Sequence, residues 1–109
     1  MDIDNPNIEV FKEVDATVTT TKSIDWETYA SFEYTMTGNT TFSDSNLPTG
    51  DGTSNIAIVM TGDFTATFPT YWEFGGDTYD GTGENLLACE CVDGDNPNER
   101  VVCTISNLT

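Results

Sequence analysis

The 109-residue chain has no histidine and only three basic residues, Lys12, Lys22 and Arg100, against 19 acidic ones. Without histidine the common catalytic triads are unavailable, and a closed zinc site loses one of its usual ligands. Without clustered Lys and Arg the chain cannot grip nucleic acid, which is bound through cations that displace its counterions. An anionic membrane surface repels it for the same reason. No apolar run is long enough to span a bilayer, so no membrane insertion is expected. Met1 is followed at once by Asp2, Asp4, Asn5 and Pro6, which is no secretory leader, so an exported form would be a mature or excised chain. Catalysis has little to build on. Carboxylates occur everywhere, so no acid–base pair stands out. Cys89 and Cys91 have no cationic neighbour to lower a thiol pKa, and Glu90 between them would raise it. No enzyme is expected.

What is present points to β structure. Aromatics make up 11% of the chain, and they bury enough area each to dominate a small core. Threonine runs suit half-buried pleated surfaces, and Gly, Asn, Asp and Pro supply turns. The length allows one domain. A net charge of −16 implies strong self-repulsion, which salt or divalent cations relieve.

Residues 1–7 read as a linker or donor segment ahead of a domain spanning 8–109. Residues 8–15 alternate, with Ile8, Val10 and Val14 on one face. Lys12 falls on that same face. Pairing with an acid at the strand edge is expected for it, with an isopeptide bond to Asn107 as the alternative. A second strand runs from 16 to 21. From 28 to 37 the alternation is clean, with Ala30, Phe32, Tyr34 and Met36 inward. Gly38-Asn39 signals a turn and 43–55 a loop. Residues 55–61 form a core strand, Phe64, Ala66 and Phe68 another, and 71–74 an aromatic one. Residues 86–92 and 100–108 make a hairpin around a polar loop. About seven to nine short strands with no helix argue an all-β, antiparallel β-sandwich.

Several side-chain groups carry chemistry. Cys89, Cys91 and Cys103 allow one disulfide and one leftover thiol, which points to an extracellular or cell-surface, oxidising setting. Cys91 and Cys103 face each other if Val92 pairs with Val102; Cys89, on the same strand face, is the other partner open to Cys103. Asp93, Asp95, Asn96, Asn98 and Glu99 gather hard oxygens in the hairpin loop, the donor type calcium takes, beside the plainer reading of a solvated acidic turn. Asp77, Asp80 and Glu84 form a weaker group of the same kind. Trp26, Tyr71, Trp72 and Tyr79 suit either a sugar-stacking platform or a core, and the alternation with Phe74 favours core. Asn39 and Asn107 begin N-x-Thr glycosylation sequons.

Three stretches together resemble a family. Asn5-Pro6-Asn7-Ile8-Glu9-Val10-Phe11-Lys12 is similar to the P-x-I-x-V-x-K opening of DUF11-type repeats of bacterial and archaeal surface proteins. Asp63-Phe64-Thr65-Ala66-Thr67-Phe68-Pro69-Thr70-Tyr71-Trp72-Glu73-Phe74 resembles their V-x-D-x-L-P-x-G-L-x-F stretch, although Tyr71-Trp72 stands where they carry Gly. Val101-Val102-Cys103-Thr104-Ile105-Ser106-Asn107-Leu108 resembles their V-x-C-T-L-x-x-L ending. The resemblance implies an immunoglobulin-like sandwich without catalytic residues, serving as a structural repeat unit or a pilus-like filament subunit. Its rival is a calcium-dependent adhesive or glycan-binding module. Those repeats continue into one more strand than this chain has. The expected outcomes are a gap filled by an earlier strand, a less stable truncated sheet, or strand donation by residues 1–14 of a neighbouring copy.

Overall fold

The computed structural model describes residues 12–49 and 54–109. These residues are all β, with no helix: β1 (Lys12–Asp25), β2 (Ser31–Ser45), β3 (Ser54–Thr61), β4 (Ala66–Thr67), β5 (Trp72–Gly76), β6 (Asn85–Asp93) and β7 (Arg100–Asn107). They join in one sheet in the order β1-β2-β3-β6-β7-β5, with β4 beside β2. The pairing is mixed, which corrects the expectation of a purely antiparallel arrangement. β1–β2, β2–β3, β2–β4 and β5–β7 are parallel, and only β3–β6 and β6–β7 are antiparallel.

Residues 26–30 alone link β1 to its parallel neighbour β2, whereas a parallel crossover usually takes about a dozen residues or more. The link suffices because both strands fold over. Tyr34 and Phe42 would stand roughly 26 Å apart on a straight strand, yet their rings stack with centroids 6.0 Å apart. On β1, Lys22 reaches back to Glu13 at 2.8 Å and Asp15 at 3.1 Å. Each strand therefore turns a corner and lays its second half over its first, so the chain returns to its starting end before the link begins. The corner lies at Thr19, Thr20 and Gly38. Thr20 has a φ of 67°, and a Cβ on Gly38 would fall 2.3 Å from Thr19 Oγ1. The Gly38-Asn39 signal is thus a bend inside β2 rather than the end of a strand.

The core fills the space between the two layers. Phe32, Tyr34, Met36 and Phe42 of β2, Ile56, Ile58 and Met60 of β3, Leu87, Cys89 and Cys91 of β6, and Val101 and Cys103 of β7 are all buried. They recur at every second position because successive side chains of a strand point to opposite faces. Aromatic rings continue the stack outward from Phe42 to Phe68 at 4.8 Å and from Phe68 to Trp72 at 4.9 Å.

β1 departs from the expected pattern. Register shifts separate Asp15 from Val18 and Val18 from Thr20, and a bulge of this kind changes which face a given parity occupies. Before the bulge, Glu13 and Asp15 turn inward and Val14 is 64% exposed; after it, Val18 and Ile24 are buried. Lys12 is exposed with Val14 and pairs with Glu33 at 3.2 Å. Ile8 and Val10 lie outside the described residues, as does the proposed linker. Ala30, expected inward, is exposed and precedes β2.

Candidate functional site

Among the described residues β5 pairs with β7 along one edge only. Val101 N–H donates to Tyr71 O at 3.2 Å and Asp77 N–H donates to Ile105 O at 2.8 Å, so odd-numbered residues direct their backbone groups toward β7. Even-numbered residues point the other way. Trp72 N–H is satisfied by Pro69 O at 3.0 Å, while Phe74 and Gly76 have no backbone partner on that side among the described residues.

Beside this free edge runs an apolar groove of about 530 Å³. Met60, Leu87 and Ile105 form its floor, Phe64 and Phe68 one wall, and Phe74 the other. Phe64 and Phe74 are 44% and 42% exposed, among the few large apolar side chains that face solvent. Phe74 packs on Phe68 with centroids 5.1 Å apart. β4, paired with β2 over Thr40 and Thr41, is too short to close the gap. Among the described residues the sheet is thus open between β4 and β5.

One end of the groove is tied down. Tyr79 hydroxyl donates to Gly62 O at 2.8 Å. Burial, with Asp63 and Asp80 nearby, pushes its pKa up to about 12. Asn85, fully buried, accepts from Asp80 N–H and from Asn107 Nδ2 and donates to Asp80 O, which fixes the loop between β5 and β6. A buried amide satisfied on both atoms is a structural node, and removing it would strand several groups.

Among the described residues β1 also has a free edge, at the opposite margin of the sheet order, and it is protected. Bulges interrupt it, and Lys12 pairs with Glu33 and Lys22 with Glu13 and Asp15 along it. Bulges and charge are how exposed edges are kept from pairing with other chains. No register shift interrupts β5, and its ion pair, Glu73 with Arg100 at 2.8 Å, lies on the face opposite Phe74. The apolar face beside Phe74 singles out β5.

The expected site residues fall into different roles. The disulfide joins Cys89, not Cys91, to Cys103. The hairpin register places Cys89 opposite Cys103 and Cys91 opposite Val101, with an irregularity between Cys91 and Asp93. The expected pairing of Val92 with Val102 is therefore displaced, and Cys91 is a buried free thiol. Burial, then the Asp44 charge, raises its pKa.

In the 93–99 loop, Asp93 Oδ1 accepts Asp95 N–H at 2.9 Å and Asn98 N–H donates to Asp95 O at 2.6 Å. Asn96 and Asn98 are exposed and Glu99 half-buried. Among the described residues no group of three or more His, Cys, Asp or Glu is arranged to hold a metal ion. Asp80 caps its own loop by accepting from Thr82 N–H, and Asp77 ties that loop to β7 by accepting from Asn107 N–H.

Trp26 and Trp72 are buried and meet edge to face at 6.3 Å. Of the two sequon residues, Asn39 is exposed at the corner and uses only its oxygen, accepting Thr65 N–H. Asn107 Nδ2 donates instead to Thr78 O and Asn85 Oδ1, and β7 is not a neighbour of β1, so Lys12 and Asn107 have separate partners.

The sequence signals a break at Gly62-Asp63 and a period of two at Phe64, Ala66 and Phe68, but not which residues line the groove: β4 covers only Ala66–Thr67, and Phe64 ahead of it is 44% exposed, after Gly62 with φ 116°. Compared with known proteins, the chain matches no family model, no curated protein and no solved structure.

Proposed function

We propose that this domain is a secreted or cell-surface structural module that assembles with other copies or adjacent domains through the open edge of β5. The observation that carries the reading is the coincidence of unpaired backbone groups at Phe74 and Gly76 with an apolar groove walled by exposed Phe64 and Phe74. A partner strand laid there would gain main-chain hydrogen bonds from the edge and specificity from side chains entering the groove. The Cys89–Cys103 disulfide suits an oxidising exterior. The kinship with DUF11-type surface repeats belongs to the same proposal, and no catalytic role is assigned.

The test is self-association of the purified chain by analytical ultracentrifugation and electron microscopy, with and without Phe74→Asp. Oligomers or filaments lost in the variant support the reading. A monomer at all concentrations, or assembly indifferent to the substitution, overturns self-assembly through this edge. Binding of glycans to the groove, with no self-association, would favour an adhesive module instead.

A further inference from the structure

The groove has a defined geometry, and one segment of this chain fits it. The edge of β5 from Trp72 to Gly76 spans roughly 17 Å, which accommodates four or five extended residues. On its inner face Trp72 is buried and Phe74 lines the groove, while Gly76, with φ 87°, lies so close to β7 that a Cβ there would fall 2.5 Å from Ile105 O, so the extended stretch of the edge ends at Gly76. An incoming strand must therefore place apolar side chains two positions apart on one face.

Residues 8–11, Ile-Glu-Val-Phe, place Ile8 and Val10 at strand spacing on one face, with Glu9 and Phe11 on the other. They are joined to β1 without a spacer, since Lys12, the first described residue, already lies in that strand. β1 lies at the opposite margin of the sheet from β5, with β2, β3, β6 and β7 between. Measured along the sheet, that separation is roughly 24 Å, whereas Val10 lies within about 8 Å of Lys12 along the chain. The groove beside β5 of the same copy is out of line for a segment so tightly tethered. The groove of a second copy is not.

We propose that residues 8–11 of one copy add as a strand to the free edge of β5 in the next, with Ile8 and Val10 directed into the groove. The donor margin and the acceptor margin are different surfaces, so the contact is head-to-tail and leaves both ends open, which propagates a filament and does not close a dimer. This inference rests on the assembly reading above and identifies the partner and the segment that completes the sheet.

The first experiment uses the full chain carrying Ile8→Asp and Val10→Asp, both outside the described body. A charge in each apolar position should weaken self-association by at least roughly tenfold, while the melting temperature of the monomer stays unchanged. If Phe74→Asp abolishes assembly and the double variant does not, the edge is an interface but residues 8–11 are not its occupant. If neither variant changes assembly, both readings fall.

The second experiment mixes a Val10→Cys chain with an isotopically labelled Phe74→Cys chain under mild oxidation. A disulfide between a labelled and an unlabelled copy is expected. A link formed only within a single chain carrying both substitutions, independent of concentration, overturns donation between copies, and so does the absence of any link in an assembling sample.

Discussion

Trp72 donates its indole N–H to Asp44 Oδ2 at 2.7 Å across 28 positions of sequence. The same carboxylate accepts Tyr71 hydroxyl at 2.7 Å and Trp26 Nε1 at 2.8 Å. One half-buried acid thus satisfies the polar ends of three aromatic side chains, two of them buried, and pins the end of β2 to the start of β5 and the end of β1. Aromatic residues with a polar tip need a partner when buried, and Asp44 supplies it for all three.

Asp44→Ala should therefore cost about 3 kcal/mol or more, since the loss of a shared acceptor strands buried donors at about 1–3 kcal/mol each. Asp44→Asn, which keeps one acceptor oxygen, should cost less. Urea denaturation followed by tryptophan fluorescence reads both. Equal stability of Asp44→Ala and the parent would show that the three contacts contribute nothing net.

The ion cluster at Lys22 sets a pH dependence. Asp15 titrates below its usual 3.8, chiefly because Thr17 N–H donates to it, with Lys22 next at 3.1 Å. A carboxyl lowered in the folded state contributes stability that is present above 3.8 and lost as pH falls through the lowered value. Burial pulls Lys22 down, but hydrogen bonds to Glu13 and Asp15 outweigh it and the net shift is upward from 10.5. Its contribution is present below 10.5 and lost as pH rises through the raised value. In Lys22→Met the Asp15 midpoint, followed by carboxyl NMR, should climb toward 3.8 without reaching it, because the Thr17 bond remains. An unmoved midpoint counts against the pair.

The cysteines separate cleanly. Cys89→Ser or Cys103→Ser removes a cross-link spanning 14 positions, worth about 3 kcal/mol for a loop of this size. Cys91→Ser leaves the disulfide intact. Cys91 and Cys103 sit diagonally across the hairpin, at roughly 7–8 Å, beyond ordinary bridging distance. Cys89→Ser should accordingly show two free thiols under denaturing conditions. A Cys91–Cys103 bridge in that variant would mean that the β6–β7 register slips.

Charge opposes both folding and the proposed assembly. At −16, each copy repels itself and its neighbours, so sodium chloride should raise the melting temperature and strengthen self-association, the reverse of ordinary electrostatic attraction. Scanning calorimetry and sedimentation across a salt series measure both. At matched ionic strength, a further rise with calcium is the signature of a specific site in the 93–99 loop, and equal effects leave screening as the whole of it.

Much of the strand inventory was legible in the residues. β3, β5, β6 and β7 lie close to where alternation and turn signals put them, because each is a run with one buried face and the period of two is local physics. Phe32, Tyr34 and Met36 were readable as core for the same reason. Three things were not. Parity along β1 reverses at a bulge that no composition signals, so Val14 faces solvent and Glu13 faces inward. Gly38 looks like a chain reversal, but the glycine is needed for close approach to Thr19. The cysteine partner depends on the hairpin register, and the irregularity between Cys91 and Asp93 displaces it from Cys91 to Cys89.

By itself the sequence determined the all-β class, the aromatic core and the extreme acidity, since these follow from composition and nearest-neighbour alternation. Tertiary structure alone decided that β1 and β2 fold over and pair in parallel, that three aromatic donors converge on Asp44, and that the sheet stays open beside β5. Each of these depends on residues distant in sequence meeting in space, as Phe42 meets Phe68 and Lys22 meets Glu13. Such meetings are set by where the chain bends, and bends at Thr20, Gly38 and Gly62 arise from packing around single residues, which local pattern does not encode.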